Sequence, residues 1–246
     1  MQVVITLVLC CLLSVVANGQ TITVVTEASP PYHYLDKDGN VSGVATDQVK
    51  EILEEANING EFMLYPWARA YDKAIRHPNT LIYSMAKTSE RDKAFYWIAK
   101  VSQFNLAVVG LADKKETKAF FADEIYQQHT FAVQRDDISY RWLIDKGLRE
   151  GEELLVCADI HCSWSYLLRG VVDFIIEDPA LIGPTAKEMD VNPAALETYL
   201  MIPELAVDGY LAVNKKMDPV VVAQLKDAAQ QLGFQSTSDD EIEARR

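Results

Sequence analysis

Residues 80–98 read TLIYSMAKTSERDKAFYWI. The apolar run Leu81–Met85 predicts a buried strand, broken at Ser84. Two residues past Ala86 comes Thr88-Ser89-Glu90-Arg91, and then an aromatic-rich stretch begins. The turn has two readings. In one, Thr88 caps a helix on the surface and Arg91 sits in an exposed ion pair. In the other, the strand ends at a cleft and aims Arg91 at the carboxylate of a ligand, a pairing that suits the planar guanidinium fork.

The sequence on either side favours a sheet that could supply such a cleft. Thr21–Thr26 is rich in β-branched residues and reads as a strand, and Glu61–Tyr65 as a second. Between them, Ser29-Pro30-Pro31-Tyr32 is a loop and Asp36–Gly39 a turn. Asp47–Ala56 has helical spacing, with Val49, Ile52, Leu53 and Ala56 on one face. Pro66 opens a helix through Ile75. The first hundred residues therefore alternate β and α, the pattern of a parallel sheet. The alternation continues with strands at Val101–Gly110, Thr130–Val133, Leu154–Cys157, Phe174–Ile176 and Gly209–Val213. Helices are predicted at Tyr140–Lys146, Ser163–Arg169 and Val220–Leu232. Lys114–Lys118 reads as a polar break, and Gln235–Arg246 as a charged, disordered tail. Glu177-Asp178-Pro179 ends its strand abruptly, and no element is predicted directly after it.

Composition narrows the function classes. The chain has 246 residues, with 49% apolar and 24% charged side chains, so it can bury a sizeable core. Residues 1–17 carry no charged side chain, and Val3–Val16 is almost wholly apolar. That run is shorter than a membrane span of about 20 residues. Ala17-Asn18-Gly19 follows with small residues at cleavage-site positions, so residues 1–19 read as a secretory signal cut before Gln20, although its first part lacks Lys or Arg. The net charge of −13 is unchanged by that cut, and an acidic chain without a basic stripe does not suit nucleic acid. Two cysteines then remain, Cys157 and Cys162. An oxidising compartment allows a disulfide between them, worth about 2 kcal/mol for so short a loop; two free thiols packed as small hydrophobes are the alternative. The bridge is favoured because the pair flanks a polar turn. His33, His77, His129 and His161 show no ligand spacing, so neither a metal nor another cofactor is expected.

Four segments in this order resemble a known family: SPPYHYLDKDGNVSGVATDQVKEIL, MAKTSERDKAFYWI, RGVVDFIIEDPAL and DGYLAVNKKMDP. Together they are similar to the extracellular solute-binding proteins of the amino-acid-binding type, the periplasmic receptors of bacterial ABC importers, over residues 21–234. The resemblance implies an α/β fold of the two-lobed periplasmic-binding-protein type (type II). Lobe one would be residues 20–107 plus 208–246 and lobe two residues 108–207, with hinge segments near Phe104–Val109 and Leu205–Tyr210 and closure by hinge bending. It implies that Arg91 grips an α-carboxylate, with Ser84 and the backbone near Ala86 as further donors. Asp178 would accept from a ligand ammonium. Asp137 and Ser139 would offer backbone and hydroxyl groups, and Tyr32 and Trp67 aromatic walls. Glu27 and Arg69 would make the cleft more polar than an apolar-side-chain pocket.

Plainer readings stand beside these. Asp178 before Pro179 suits a turn, Trp67 and Tyr71 suit a core, Glu27 suits a solvated loop and Arg69 a helix surface. The family often carries Ser or Thr where this chain has Ala86, which removes a hydroxyl donor, and YPWARAYDKA is unlike the best-known amino-acid receptors. The function implied is capture of an amino acid or similar small polar, zwitterionic solute by a monomeric periplasmic protein that serves a membrane transporter or sensor. Two alternatives share the fold. One is a dehydratase acting on prephenate-like acids, with Glu177 or Asp178 as general acid. The other is a sensory or orphan module.

Overall fold

The computed structural model describes residues 21–112 and 126–235. The signal segment 1–19, the polar break Lys114–Lys118 and the tail beyond Gln235 lie outside the described residues. In chain order the strands are β1 (Ile22–Thr26), β2 (Tyr34–Leu35), β3 (Val41–Ser42), β4 (Gly60–Leu64), β5 (Thr80–Ala86), β6 (Phe95–Leu111), β7 (Phe131–Gln134), β8 (Leu154–Cys157), β9 (Phe174–Glu177) and β10 (Leu196–Asn214). The helices are α1 (Val44–Glu55), α2 (Trp67–Arg76), α3 (Ile138–Asp145), α4 (Ile160–Leu168), α5 (Pro179–Glu188) and α6 (Pro219–Gln231).

Eight strands form one sheet in the order β4-β1-β5-β10-β6-β9-β7-β8. At one end β1 runs parallel to β4 and β5, and at the other β7 runs parallel to β8 and β9. Between them the long strands β6 and β10 form an antiparallel ribbon shared by both halves. The ribbon's register shifts between Met201 and Ala206, where Pro203 cannot donate to the ladder.

Each half buries helices on both faces of its part of the sheet, as parallel strands require. In the first half α1 and α6 cover one face through Val49, Ile52, Leu225 and Ala229. The opposite face holds Val25, Ala70, Ala74, Ile82 and Phe95 under α2. In the second half Phe131, Leu143, Leu154 and Phe174 pack beneath α3, and Ala132, Trp164, Leu167, Ile175 and Ala186 beneath α4 and α5. Among the described residues no helix is long and apolar enough to cross a membrane.

Helix α5 is the longest element missing from the sequence reading, which also gives only a turn where the short pair β2/β3 forms. Pro179 suits a first helical position, but Pro184 inside the helix removes a backbone donor. The helix persists because Leu181, Thr185 and Ala186 are buried and Asp178 caps it, accepting from Ala180 N at 2.9 Å. The cysteines also depart from the favoured expectation. Cys157 and Cys162 are free thiols. Cys157 ends β8 inside an apolar cluster with Trp164 and Leu167, where burial and its hydrogen bond with Cys162 push its thiol up to about 12. The pair packs as small hydrophobes, the second of the two readings.

One buried side chain ties α2 to the ribbon. Asn214 Nδ2 donates to the carbonyls of Ala74 and Ile75, each at 2.9 Å, and its Oδ1 accepts from Lys216 N. Asn214→Ala is expected to cost about 2 kcal/mol, because it leaves two helix-end carbonyls and one N–H without partners. The midpoint of urea unfolding should fall with an unchanged slope; an unchanged midpoint would refute this role.

Candidate functional site

The cleft opens at the carboxyl ends of the parallel strands of both halves, where ligands of open α/β sheets bind. From the first half it is lined by Glu27 just past β1, by Ser84 and Ala86 at the end of β5, by Arg91 and by Trp67 at the start of α2. The second half supplies Gln134 at the end of β7, Asp137 and Ile138 at the start of α3, and Glu177 at the end of β9. The ribbon contributes Phe104, Leu106 and Val207 as its floor. The empty space among these groups is about 710 Å³, a figure that includes space open to solvent.

Both halves of the opening question find a place. Thr88 does cap a turn: its Oγ1 accepts from Arg91 N at 3.2 Å at the head of the short 3₁₀ helix Arg91–Lys93. Arg91 is nevertheless buried, only 6% exposed, rather than on the surface. Its Nη1 donates to the carbonyl of Ala86 at 2.9 Å. Its Nη2 reaches across the cleft to the carbonyl of Asp136 at 3.1 Å. The guanidinium lies over the rings of Trp67 and Tyr71, 5.0 and 5.2 Å from their centroids. Trp67 Nε1 donates to the same Asp136 carbonyl at 3.0 Å. Two donors from the first half thus converge on one carbonyl of the second, and Asp136 turns it there with φ 59°. Burial lowers the Arg91 pKa, while Asp137 and Tyr71 oppose that shift; an arginine stays charged under such conditions.

Two carboxyls of the cleft, Glu177 and Glu27, are displaced in the opposite direction. Glu177 Oε2 accepts from Trp164 Nε1 at 3.1 Å and Oε1 from Asp178 N at 2.9 Å. Burial pushes its carboxyl up to about 7, and Asp178 and Asp137 add to the rise against the pull of those two hydrogen bonds. Glu27 keeps part of its surface open to the cleft but is enclosed by protein around it. Desolvation holds it well above the ordinary carboxylate value, followed by Asp137 and Glu177; a hydrogen bond from Gln134 and the charge of Arg91 pull it down. The loop bearing Glu27 is held by His33, whose Nδ1 lies 2.6 Å from the Glu27 carbonyl. A carbonyl only accepts, so this nitrogen carries the proton. Burial lowers the His33 pKa to about 4 and keeps the ring neutral.

Glu27, Trp67, Ser84, Ala86, Arg91 and Asp137 thus share the cleft. The other four residues expected there stand outside its lining. Asp178 is 3% exposed and uses both oxygens within the protein: Oδ2 accepts from Asn105 N at 2.8 Å, tying β9 to the ribbon, and Oδ1 caps α5. Tyr32 OH donates to the carbonyl of Gln103, and its ring meets Phe104 edge-on. Arg69 lies over the ring of Tyr65. Ser139 is buried, with its hydroxyl and N–H both on the Asp137 carboxylate that caps α3. Gln134 was absent from the expected set, and Glu177 figured only as an enzyme's acid. Their common signal is position: each is the last residue of a parallel strand, where the cleft must open.

Ser84 sits in β5 with φ 57°, a left-handed conformation rare for a non-glycine residue, and its Oγ is buried with no hydrogen-bond partner among the described residues. Gly209, paired with Ala86, has no room for a side chain, since a Cβ would stand 2.1 Å from Ser102 Oγ and 3.0 Å from Ser84 Cα. Strain of this kind collects at functional sites. Ser84→Gly is expected to stabilise the protein by about 1 kcal/mol by relieving that backbone. Thermal unfolding checks it, and a lower melting temperature would show that the hydroxyl supports the fold instead.

The comparisons agree with this geometry. Residues 22–239 match the family model of the bacterial extracellular solute-binding proteins, family 3. The chain belongs to that family. A relative is a probable histidine-binding protein of Neisseria gonorrhoeae, 22% identical over 205 residues, which are 82% of this chain and 74% of that protein. Among solved structures, a histidine kinase sensor domain similar to periplasmic binding proteins superposes with a TM-score of 0.73 at 18% identity, covering 92% of this chain and 96% of that one. The arginine-bound form of a truncated ArgBP from T. maritima gives 0.71 at 19% identity, covering 86% and 96%. At these identities the structural likeness is one of fold, the two-lobed α/β fold of periplasmic binding proteins. The family 3 proteins are solute-binding proteins.

Proposed function

We propose that this family 3 protein captures an amino acid or a similar small zwitterionic solute outside the cytoplasm. Two lobes, residues 20–107 with 208–246 and residues 108–207, close on the solute about the β6/β10 ribbon. The closed form delivers it to a membrane importer. The observation that carries this reading is Arg91. A guanidinium buried in the cleft, lying over the rings of Trp67 and Tyr71, retains N–H groups beyond those given to the Ala86 and Asp136 carbonyls and to the Tyr71 hydroxyl. A solute carboxylate is the partner such a fork suits. No reaction is required, only closure around both charges of a zwitterion.

Thermal unfolding against a panel of L-amino acids tests it. A solute at 100 times its dissociation constant stabilises by about 2.7 kcal/mol, which raises the melting temperature of a chain this size by several degrees. No shift with any carboxylate-bearing solute, from protein verified to be ligand-free, would overturn the proposal. A second reading, a receptor that signals to a membrane sensor, is favoured by the likeness to a histidine kinase sensor domain over 92% of the chain. It shares the solute site and differs in the partner: crosslinking of solute-loaded protein in membranes would return a kinase rather than a permease.

A further inference from the structure

Asn-Gly occurs twice in the chain. Asn18-Gly19 lies outside the described residues, and Asn59-Gly60 joins α1 to the edge strand β4. The end of the helix sets the path to it. Asn57 turns the chain with φ 54°, so that its N–H reaches the Glu54 carbonyl and the N–H of Ile58 the Leu53 carbonyl, each at 2.9 Å. Asn59 follows and anchors the sheet: its carbonyl accepts from Ile22 N at 2.8 Å. At the other end of the strand pair Tyr65 N donates to the Thr26 carbonyl at 2.9 Å. The odd-numbered residues along this strand thus bond to β1. The N–H of Gly60 faces the other way, out of the free edge of the sheet. Asn59 and Gly60 are both exposed.

The core requires the glycine of this pair. A Cβ on residue 60 would stand 2.6 Å from Leu53 Cδ1, 3.1 Å from Val24 Cγ2 and 3.2 Å from Phe62 Cε2. Leu53 and Val24 are buried in a close-packed cluster and have little room to give way. Position 60 is therefore a glycine for packing, and without a Cβ nothing shields its nitrogen from the Asn59 side chain. Asn57 is the internal control. It is exposed in the same connection, but the next residue is Ile58. The β-branched side chain crowds that nitrogen, and its N–H is already given to the Leu53 carbonyl.

We propose that Asn59 is a site of spontaneous modification, where loss of the side-chain amide produces a more acidic and less stable form of the protein. The Gly60 nitrogen releases its proton to solvent and bonds to Asn59 Cγ. The Cγ–Nδ2 bond breaks, and Nδ2 leaves as ammonia with a proton from water. Water then opens the five-membered imide at either of its two carbonyls, giving aspartate or isoaspartate, and the new carboxyl releases its proton. Water is the sole co-reactant. Either product adds one negative charge to an already acidic chain. The isoaspartyl form also lengthens the main chain by one methylene and turns the carbonyl that holds Ile22 N into a pendant carboxylate. The first bond between β1 and β4 is then lost or displaced. The site lies at the end of this strand pair away from the cleft, since Gly60 stands opposite Ile22 and Glu27 follows the far end of β1.

The experiment is ageing of the purified protein at pH 6 and pH 8, followed by tandem mass spectrometry of the peptide that carries both Asn57 and Asn59. Loss of the Asn59 amide is expected, faster at the higher pH because the attacking nitrogen must shed its proton, while Asn57 keeps its amide. The modified protein should separate as a more acidic fraction on anion exchange, and its urea midpoint should fall below that of the unmodified protein. Asn59→Gln, whose longer side chain does not close the five-membered ring, should keep its amide and its midpoint through the same ageing. Loss at Asn57 as fast as at Asn59, or an Asn59 amide intact after ageing at pH 8, overturns the site. A fraction modified at Asn59 that unfolds at the parent's midpoint overturns the predicted cost to the β1/β4 pair.

Discussion

Arg91→Lys is expected to weaken solute binding by about 30-fold to a few thousandfold, the range corresponding to about 2–5 kcal/mol for breaking a buried, hydrogen-bonded charge pair. The charge is conserved in this variant, so the loss isolates geometry. The arginine is a single planar group that does three things at once. Nη1 holds the Ala86 carbonyl at the end of β5, Nη2 holds the Asp136 carbonyl of the other half, and the flat face packs on Trp67 and Tyr71. An ammonium can occupy one of these places but cannot span them, and it cannot present two parallel N–H groups to a carboxylate. Arg91→Ala should lose at least as much. Titration calorimetry with the solute identified from the amino-acid panel measures both, and circular dichroism verifies that each variant folds. A lysine variant that binds as tightly as the parent would show that Arg91 is only a strut between the halves.

That strut has a consequence of its own. Arg91 and Trp67 both donate to the Asp136 carbonyl, so the two halves are bridged by protein groups before any solute arrives. The bridge uses a backbone carbonyl, and a carbonyl leaves no mark in a sequence. What the sequence does carry is residue type: the Thr-x-x-Arg turn announced a guanidinium at a strand end, and that is where Arg91 lies. The alternation of β-branched runs with helical spacing made the two α/β halves legible, because each run meets a core that period-2 or period-3.6 patterning must serve. The ribbon was legible only in pieces. Strands β6 and β10 pass from one half to the other, their burial changes on the way, and each reads as a shorter strand, Val101–Gly110 and Gly209–Val213. Helix α5 was hidden by Pro184, since tertiary burial outweighs local propensity.

The carboxyls of the cleft show a different limit. Asp178, five residues after Asp173, invites the reading of a ligand carboxylate, yet both its oxygens are used on Asn105 N and Ala180 N. One residue earlier, Glu177 ends the strand and faces the cleft. Period-2 alternation sends neighbours to opposite sides, so a shift of one residue exchanges a structural cap for a site group. Sequence separation alone cannot make that distinction; the bonds that β9 and α5 form with the ribbon do.

Glu177→Gln is expected to change how stability depends on pH. In the folded protein the Glu177 carboxyl is pushed from an ordinary value of 4.5 to about 7, chiefly by burial. Between those values the folded state holds a proton that the unfolded chain releases. The stabilisation is therefore fully present below about 4.5 and is lost as pH rises through about 7, by about 3 kcal/mol for one carboxyl. Glu27, displaced in the same direction, adds to the decline. His33 acts oppositely: its pKa lies near 4 instead of 6.5, so it costs stability as pH falls below about 6.5. Glutamine cannot ionise and keeps an acceptor for the Asp178 N–H or the Trp164 indole. The difference in urea-unfolding free energy between Glu177→Gln and the parent should therefore move in favour of the variant by about 3 kcal/mol between pH 4.5 and pH 8, with the His33 contribution cancelling. Parallel profiles would mean that Glu177 stays ionised throughout, satisfied by its two donors.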